Sequence, residues 1–228
     1  MDIRTTGIDG LLIVDLDVHG DDRGWFKENW QREKMVAAGL PDFAPVQNNV
    51  SFNASAGVTR GLHAEPWDKL VSVAYGKVFG AWCDLREGSE TYGELVTTEI
   101  GPGTAVFVPR GVANGFQALE PTAYSYLVND HWSPAASYPA VNLDLVDWPL
   151  EPTEISDKDA AHPQLTQATP MPPRKVLVTG ADGQLGRALQ RILPHAEFAT
   201  RADLDITDPH LAEARRWRDY SAVINCAA

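Results

Sequence analysis

The chain has 228 residues, 44% of them apolar, which is enough for one ordinary domain and part of a second. With 31 acidic against 19 basic residues, its net charge is -12 and its pI near 4.8, which excludes an extended basic surface for nucleic acid or an anionic membrane. No apolar run approaches the roughly 20 residues of a membrane span, acids stand where a signal peptide would be basic, and the two cysteines, Cys83 and Cys226, lie far apart in apolar segments, so a cytoplasmic chain with free thiols is expected.

Taken in order, "GLLIVDLDV" is the first predicted strand, and "HGDDRG" is a turn. "QREKMVAAGL" is the only helical pattern in the first 150 residues. The runs "KLVSVAYGKVFGAWCDL", "YGELVTTEI", "TAVFVP", "NGFQAL" and "TAYSYLV" then follow as strands, separated by turns at "REGSET" and "GPG". Short valine- and aromatic-rich strands at this spacing predict a mainly β antiparallel sandwich or barrel. The threonine- and proline-rich "TQATPMPP", residues 166–173, has no apolar period and is the expected linker between a domain at 1–165 and a second piece at 174–228.

In the second piece the pattern changes. "KVLVTGADGQLGRALQRIL" is a buried-strand run, a glycine turn and a helix, while "DPHLAEARRWRDY" offers Asp208 as N-cap and Pro209 at the first helical position. "SAVINCAA" is a further strand, so the order opens a Rossmann-like βαβ unit. The unit reaches Ala228 after about 55 residues, short for a nucleotide-binding domain, and a truncated α/β segment is expected. Gly180, Gly183 and Gly186 either turn backbone amides toward a pyrophosphate or only pack helix on sheet. The stretches "KVLVTGADGQLGRAL", "DLDITD" and "VINCAA" resemble the start of the extended short-chain dehydrogenases, most closely the dTDP-4-dehydrorhamnose reductase branch. That resemblance implies NAD(P)H contacts from Gly180, Gly183, Gln184, Leu185, Gly186, Asp205 and Ile206. The Tyr-x-x-x-Lys pair that moves hydride in that family falls beyond these residues, so weak cofactor binding and no reductase chemistry are expected.

"RGLHAEPWDKL", residues 60–70, raises the question of what His63 does. It can be a hydrogen-bonded core histidine, a metal ligand or a base. "GTAVFVPRGVAN", residues 103–114, has the second cupin spacing, but Asn114 stands where a metal-binding cupin has histidine. A neutral amide beside one imidazole is a poor transition-metal set, so no metal is expected. Deprotonating a carbon beside a ketone needs a base titrating near neutrality and a cation at the developing enolate oxygen. His63 suits the first role and Lys69 the second, with Tyr126 as a donor on the opposite face or merely a half-buried strand aromatic.

Together "GDDRGWFKENW", "VQNNVS", "RGLH", "DKLVSVAYGKVFGAWCDLREGSETYGE", "VFVPRGVANGF" and "EISDKDA" resemble the dTDP-4-dehydrorhamnose 3,5-epimerase family across nearly all of residues 1–165. The resemblance implies a cupin-type jelly roll that works as a homodimer, without metal or cofactor, on dTDP-4-keto-6-deoxyglucose. It implies His63 as base, Asp159 as the carboxylate that orients it, Lys69 at the enolate and Tyr126 as acid. Arg23 and Arg60 would hold the diphosphate, with Phe26, Glu28, Gln47, Asn49 and Asn114 lining the nucleotide or sugar site. The chain departs from the family in Asn114, where "HGF" is usual, in a shorter His63 to Lys69 connection, and in Ser72, where many members carry arginine. Other readings are an epimerase acting at C3 or C5 alone, or a non-catalytic sugar-nucleotide-binding module of an oxidoreductase. The fusion itself implies a longer parent chain joining epimerase to reductase.

Overall fold

The computed structural model describes residues 1–213 and 215–227, and the chain divides into two compact units, Met1–Met171 and Pro172–Ala228. No helix among the described residues is long and apolar enough to cross a membrane.

The first unit is mainly β. Strands β1 (Asp2–Thr5) and β2 (Leu12–Asp15) are followed by a hairpin of β3 (Val18–Asp21) and β4 (Gly24–Lys27), whose two-residue turn, Asp22 and Arg23, lies within the expected "HGDDRG". Lys27 donates from Nζ to the carbonyls of Val73 and Pro102 at 2.8 and 2.9 Å, which ties β4 to the sheet. Helix α1 (Arg32–Ala37) matches the helical pattern, with the Gln31 side chain accepting from the Lys34 amide as N-cap and Met35 buried. Strand β5 (Gln47–Asn53) was hidden in the sequence by its asparagines, which disfavour strands in isolation. Strand β6 (Thr59–His63) was likewise not evident, being short and split by Gly61. The run "KLVSVAYGKVFGAWCDL" folds as two strands, β7 (Lys69–Tyr75) and β8 (Val78–Asp84), turning at Gly76. Strands β9 (Leu95–Ile100), β10 (Thr104–Val108), β11 (Val112–Ala118) and β12 (Thr122–Val128) follow as expected.

These strands form a six-stranded antiparallel sheet in the order β1-β2-β10-β7-β12-β5 and a four-stranded sheet in the order β6-β11-β8-β9. Alternation turns Val71, Val73, Val106, Val108 and Tyr124 of the larger sheet inward, to pack with Val78, Trp82, Val112 and Phe116 of the smaller. A second core layer, including Leu62, Ala81, Cys83, Leu85 and Val141, backs the smaller sheet. Both cysteines are free thiols, and burial, with Asp84 beside it, pushes Cys83 up to about 12.

Residues 166–173, expected as a linker, are held on the first unit over most of their length. Met171 is 1% exposed, its amide donates to the Leu85 carbonyl at 2.7 Å, and its own carbonyl accepts from Glu87. The apolar side chains of Ala168 and Met171 decide this, since burying them outweighs the flexibility that proline and threonine suggest.

In the second unit, β13 (Lys175–Thr179) runs parallel to β14 (Glu197–Ala199) and to β15 (Tyr220–Asn225), and helix α3 (Gln184–Leu189) stands between β13 and β14 in sequence. Gly186 is required here, because a Cβ would lie 2.3 Å from the Gly180 carbonyl oxygen. The helix expected from Asp208 does not form. Asp208 instead accepts from the His210 amide, and Leu211–Glu213 and Trp217–Asp219 are short 3-10 turns. The large apolar residues of that stretch are Leu211, Trp217 and Tyr220, all packed against the small Leu177, Ala199 and Leu204 cluster, and Tyr220 already belongs to β15. So little apolar surface does not offset the cost of nucleating a helix.

Candidate active site

The site lies between the two sheets. His63 closes β6 and Lys69 opens β7, and the connection between them is fixed at both flanks. Ala64 donates its amide to Pro139, while Asp68 accepts from the Arg110 amide and from Asn129 at 2.9 and 3.0 Å. Trp67 is buried, edge-on to Tyr138. Strand pairing sets Asn114 directly opposite His63 on the smaller sheet and Tyr126 opposite Val71 on the larger. A cavity of about 280 Å³ opens between them, lined by Arg60, His63, Glu65, Lys69, Asn114, Tyr126 and Asp159, among others.

Asp159 comes from far along the chain. It sits in the short helix α2 (Asp157–Ala160), whose N-cap Ser156 accepts from the Asp159 amide at 3.1 Å. Its Oδ1 is 2.8 Å from His63 Nε2 and its Oδ2 accepts from the Gly61 amide at 3.0 Å. Gly61 has φ +122°, and a Cβ there would lie 2.5 Å from Gly115 Cα, so only glycine lets β6 and β11 approach closely enough to present this amide. Burial alone would raise the Asp159 carboxyl, but the Gly61 amide and His63 outweigh it and hold it below the ordinary carboxylate range. With Nε2 committed to Asp159, Nδ1 is the ring nitrogen that His63 has left for a ligand.

On the facing wall Lys69 is 4% exposed and ion-paired with Glu65, and its Nζ lies 5.8 Å from the centroid of the Tyr126 ring. Burial and the Glu65 charge push the Tyr126 phenol up, against Arg60, so it is a protonated donor at neutral pH. Tyr124 is raised by burial and donates to Asn114 Oδ1 at 3.2 Å while stacking on Phe116. Asn114 thus anchors a polar shelf where a metal-binding cupin would place a ligand. Arg60 donates to Asn53 Oδ1 at 2.8 Å. Ser72, on the opposite face of β7 from Lys69, is buried away from the cavity, so the arginine that many members carry there would not reach it directly. An imidazole–carboxylate dyad facing a buried ammonium and a phenol can remove and return a proton beside a carbonyl.

Six of the residues singled out from sequence, His63, Lys69, Tyr126, Asp159, Arg60 and Asn114, therefore meet in one cavity. Five others do not line it. Arg23 pairs with Asp21 on the exposed β3–β4 hairpin, where Phe26 is 65% exposed, and Glu28 pairs with Lys34. Gln47 donates to Asn49 from Nε2 and accepts at Oε1 from His131 Nδ1 at 2.9 Å, and Asn49 lies opposite Tyr126 in the β5–β12 pairing. In the second unit Gly180, Gly183, Gln184, Leu185, Asp205 and Ile206 line a separate cavity of about 540 Å³, while Gly186 packs beneath the turn. Sequence reasoning assigned no role to Glu65, Ser51, Tyr124, Lys158 or His162. Glu65 and His162 were signalled only by spacing, four residues before Lys69 and three after Asp159.

The sequence model of the dTDP-4-dehydrorhamnose 3,5-epimerase family matches residues 5–167. A Streptococcus pyogenes serotype M6 protein named RmlC homolog is 49% identical over 180 residues, covering 73% of this chain and 90% of its own. A dTDP-4-dehydrorhamnose 3,5-epimerase of Methanothermobacter thermautotrophicus is 35% identical over 166 residues, covering 68% and 89%. Among solved structures, RmlC from Streptococcus suis, in complex with dTDP-D-xylose, superposes with a TM-score of 0.70 at 50% identity over 75% of this chain and 94% of that one, which makes the first unit cupin-like. With the motifs, the fold and the matched span all in agreement, the chain belongs to the dTDP-4-dehydrorhamnose 3,5-epimerase family, a family of isomerases.

Proposed function

We propose that the first unit inverts dTDP-4-keto-6-deoxyglucose at C3 and C5, through an enolate and without metal or cofactor. The observation that carries this reading is the His63–Asp159 dyad facing Lys69 and Tyr126 from the other sheet across one cavity. His63 takes the proton at C3 through Nδ1, and Asp159 holds the ring and stabilises the imidazolium that forms. Lys69, positioned by Glu65, stabilises the negative charge developing at O4. Tyr126 returns a proton from the opposite face, which inverts the carbon, and the cycle repeats at C5.

Arg60 faces the diphosphate, and Lys158, which lines the same cavity, is a second cation available to it. Arg23, Phe26, Glu28, Gln47 and Asn49 serve the nucleotide or sugar in a homodimer. What supports the dimer is β5, an edge strand of the six-stranded sheet, which leaves Val50 and Phe52 each 65% exposed.

For the second unit the reading is a truncated Rossmann-like segment of the reductase type, from a longer cytoplasmic parent chain that would join epimerase to reductase; this segment by itself carries no reductase chemistry. Its glycine turn, with Gly180 at φ +65° and Gly183 and Gln184 lining the cavity while Gly186 lets the helix pack closely on the turn, fits the pyrophosphate of NAD(P)H. Such a cofactor supplies hydride in a complete reductase; the residues here would hold it only weakly.

Incubating the substrate with the protein in D2O and following C3 and C5 by NMR tests the reading. Deuterium at both carbons, abolished by His63→Ala, is expected. Deuterium at one carbon limits the enzyme to a single inversion, and none at either overturns the epimerase reading in favour of a binding module.

A further inference from the structure

His162 lies beside the dyad, and the proposed chemistry leaves it unused. Its side chain is 7% exposed; neither ring nitrogen makes a hydrogen bond of normal geometry, and its polar neighbours are the Asp159 carboxylate and the Gly61 backbone. A buried polar group without a partner is costly, and an imidazole in that state has a lone pair to offer. The ring stands edge-on to His63, centroids 5.0 Å apart, and its Nε2 is 3.9 Å from the Asp159 Oδ1 that binds His63 at 2.8 Å. One ligand atom from each of His63, Asp159 and His162 lies within 4.8 Å of the others. Bonds of about 2.0–2.2 Å to a tetrahedral zinc ion place its ligand atoms in this range after small side-chain adjustments. Two imidazoles and one carboxylate, with a fourth position open to the cavity, suit a transition metal rather than calcium or magnesium.

We propose that His63, Asp159 and His162 form a binding site for a divalent transition metal, zinc above all, and that the bound metal switches the dyad off. The sequence shows His63 as an isolated imidazole; the fold supplies the second. The metal takes the Nε2 lone pair of His63, and Asp159 exchanges its hydrogen bond for a metal bond. A neutral imidazole bound through Nε2 carries its proton on Nδ1. The proton leaves Nε2 for solvent and Nδ1 gains one, so the ring has no lone pair left for the substrate. The binding site stands on geometry alone, whereas the inhibition rests on the epimerase reading.

The test titrates the full chain with Co2+, follows visible absorption, and displaces Co2+ with Zn2+. Deuterium exchange into the 4-keto sugar is measured over the same Zn2+ range. The expected result is low-symmetry cobalt bands bleached by zinc, and exchange lost at the same zinc midpoint. His162→Ala and the bulkier His162→Gln, checked for folding by thermal melting, should shift both midpoints by at least about tenfold, the scale on which metal sites respond even to loss of a supporting partner. Both variants keep exchange in metal-free buffer. Ring-nitrogen NMR shifts of labelled His162 on adding zinc read the contact in the unsubstituted chain. Equal metal affinity in wild type and variants, or unmoved His162 shifts, overturns the site. Binding without loss of exchange overturns the switch. If metal-free protein shows no exchange at all, the epimerase reading fails, and the cobalt spectra and His162 shifts still decide the metal site.

Discussion

Tyr126 and His63 reach one cavity from different sheets, β12 of the larger and β6 of the smaller, which is the arrangement that removal from one face and return on the other requires. Their separation of roles gives a sharp residue-level prediction. Tyr126→Phe keeps the His63–Asp159 dyad and Lys69, so solvent deuterium should still enter the substrate on the His63 face with retention. Inversion should fall by about 10²-fold or more, the usual contribution of a positioned acid. NMR of the recovered sugar separates exchange from inversion, and equal loss of both would remove Tyr126 from the acid role. At this scale the sequence singled out His63, Lys69, Asp159 and Tyr126, which line one cavity, because each stands in a compact motif. It was silent on Glu65 and His162, whose importance arises from contacts across a loop and a turn.

The turn between β8 and β9 shows how an element is held by one buried charge. Asp84, fully buried at the end of β8, accepts from the Arg86 amide and guanidinium, Ser89 and Thr91 at 2.6–2.9 Å. Burial would raise its carboxyl, but these donors win and bring it from 3.8 down to about 2. A carboxyl lowered on folding stabilises the protein fully above its unfolded value and loses that contribution as pH falls through the folded one. The difference corresponds to about 2 kcal/mol. Denaturant melts between pH 4 and pH 2 should therefore show wild type losing about that much, and Asp84→Asn should lack this part of the acid dependence while being less stable at neutral pH. The strands around the turn were legible from valine and aromatic alternation. The polar β5 was not, because its place is fixed by pairing with β12 rather than by its own propensity. The helix expected at Asp208 failed for the converse reason: good caps cannot compensate for a missing apolar face.

For the whole molecule, the exposed edge of the six-stranded sheet and the thin core of the second unit lead to separate expectations. If β5 is covered by a second copy, light scattering gives a dimer for wild type, and Phe52→Lys shifts it toward monomer; a monomeric wild type would refute the homodimer. Among the described residues the buried cluster of the second unit comprises Leu177, Ala199 and Leu204, and Ile192 and Leu185 are 72% and 58% exposed. Its amides in β13–β15 should exchange with solvent well before those of β7, β8 and β11, as hydrogen exchange with mass spectrometry will show. By itself the sequence determined the mainly β first unit, the change of pattern after residue 173, and the family, because strand alternation, glycine turns and ordered motifs are local features of the chain. Only the tertiary structure decided which residues meet: Asp159 beside His63 across 96 positions, Met171 docked at Leu85, His162 buried against the dyad, and Arg23 and Phe26 apart from the cavity. Those juxtapositions depend on sheet order and register, which are set by long-range pairing and burial that no short stretch of the chain encodes.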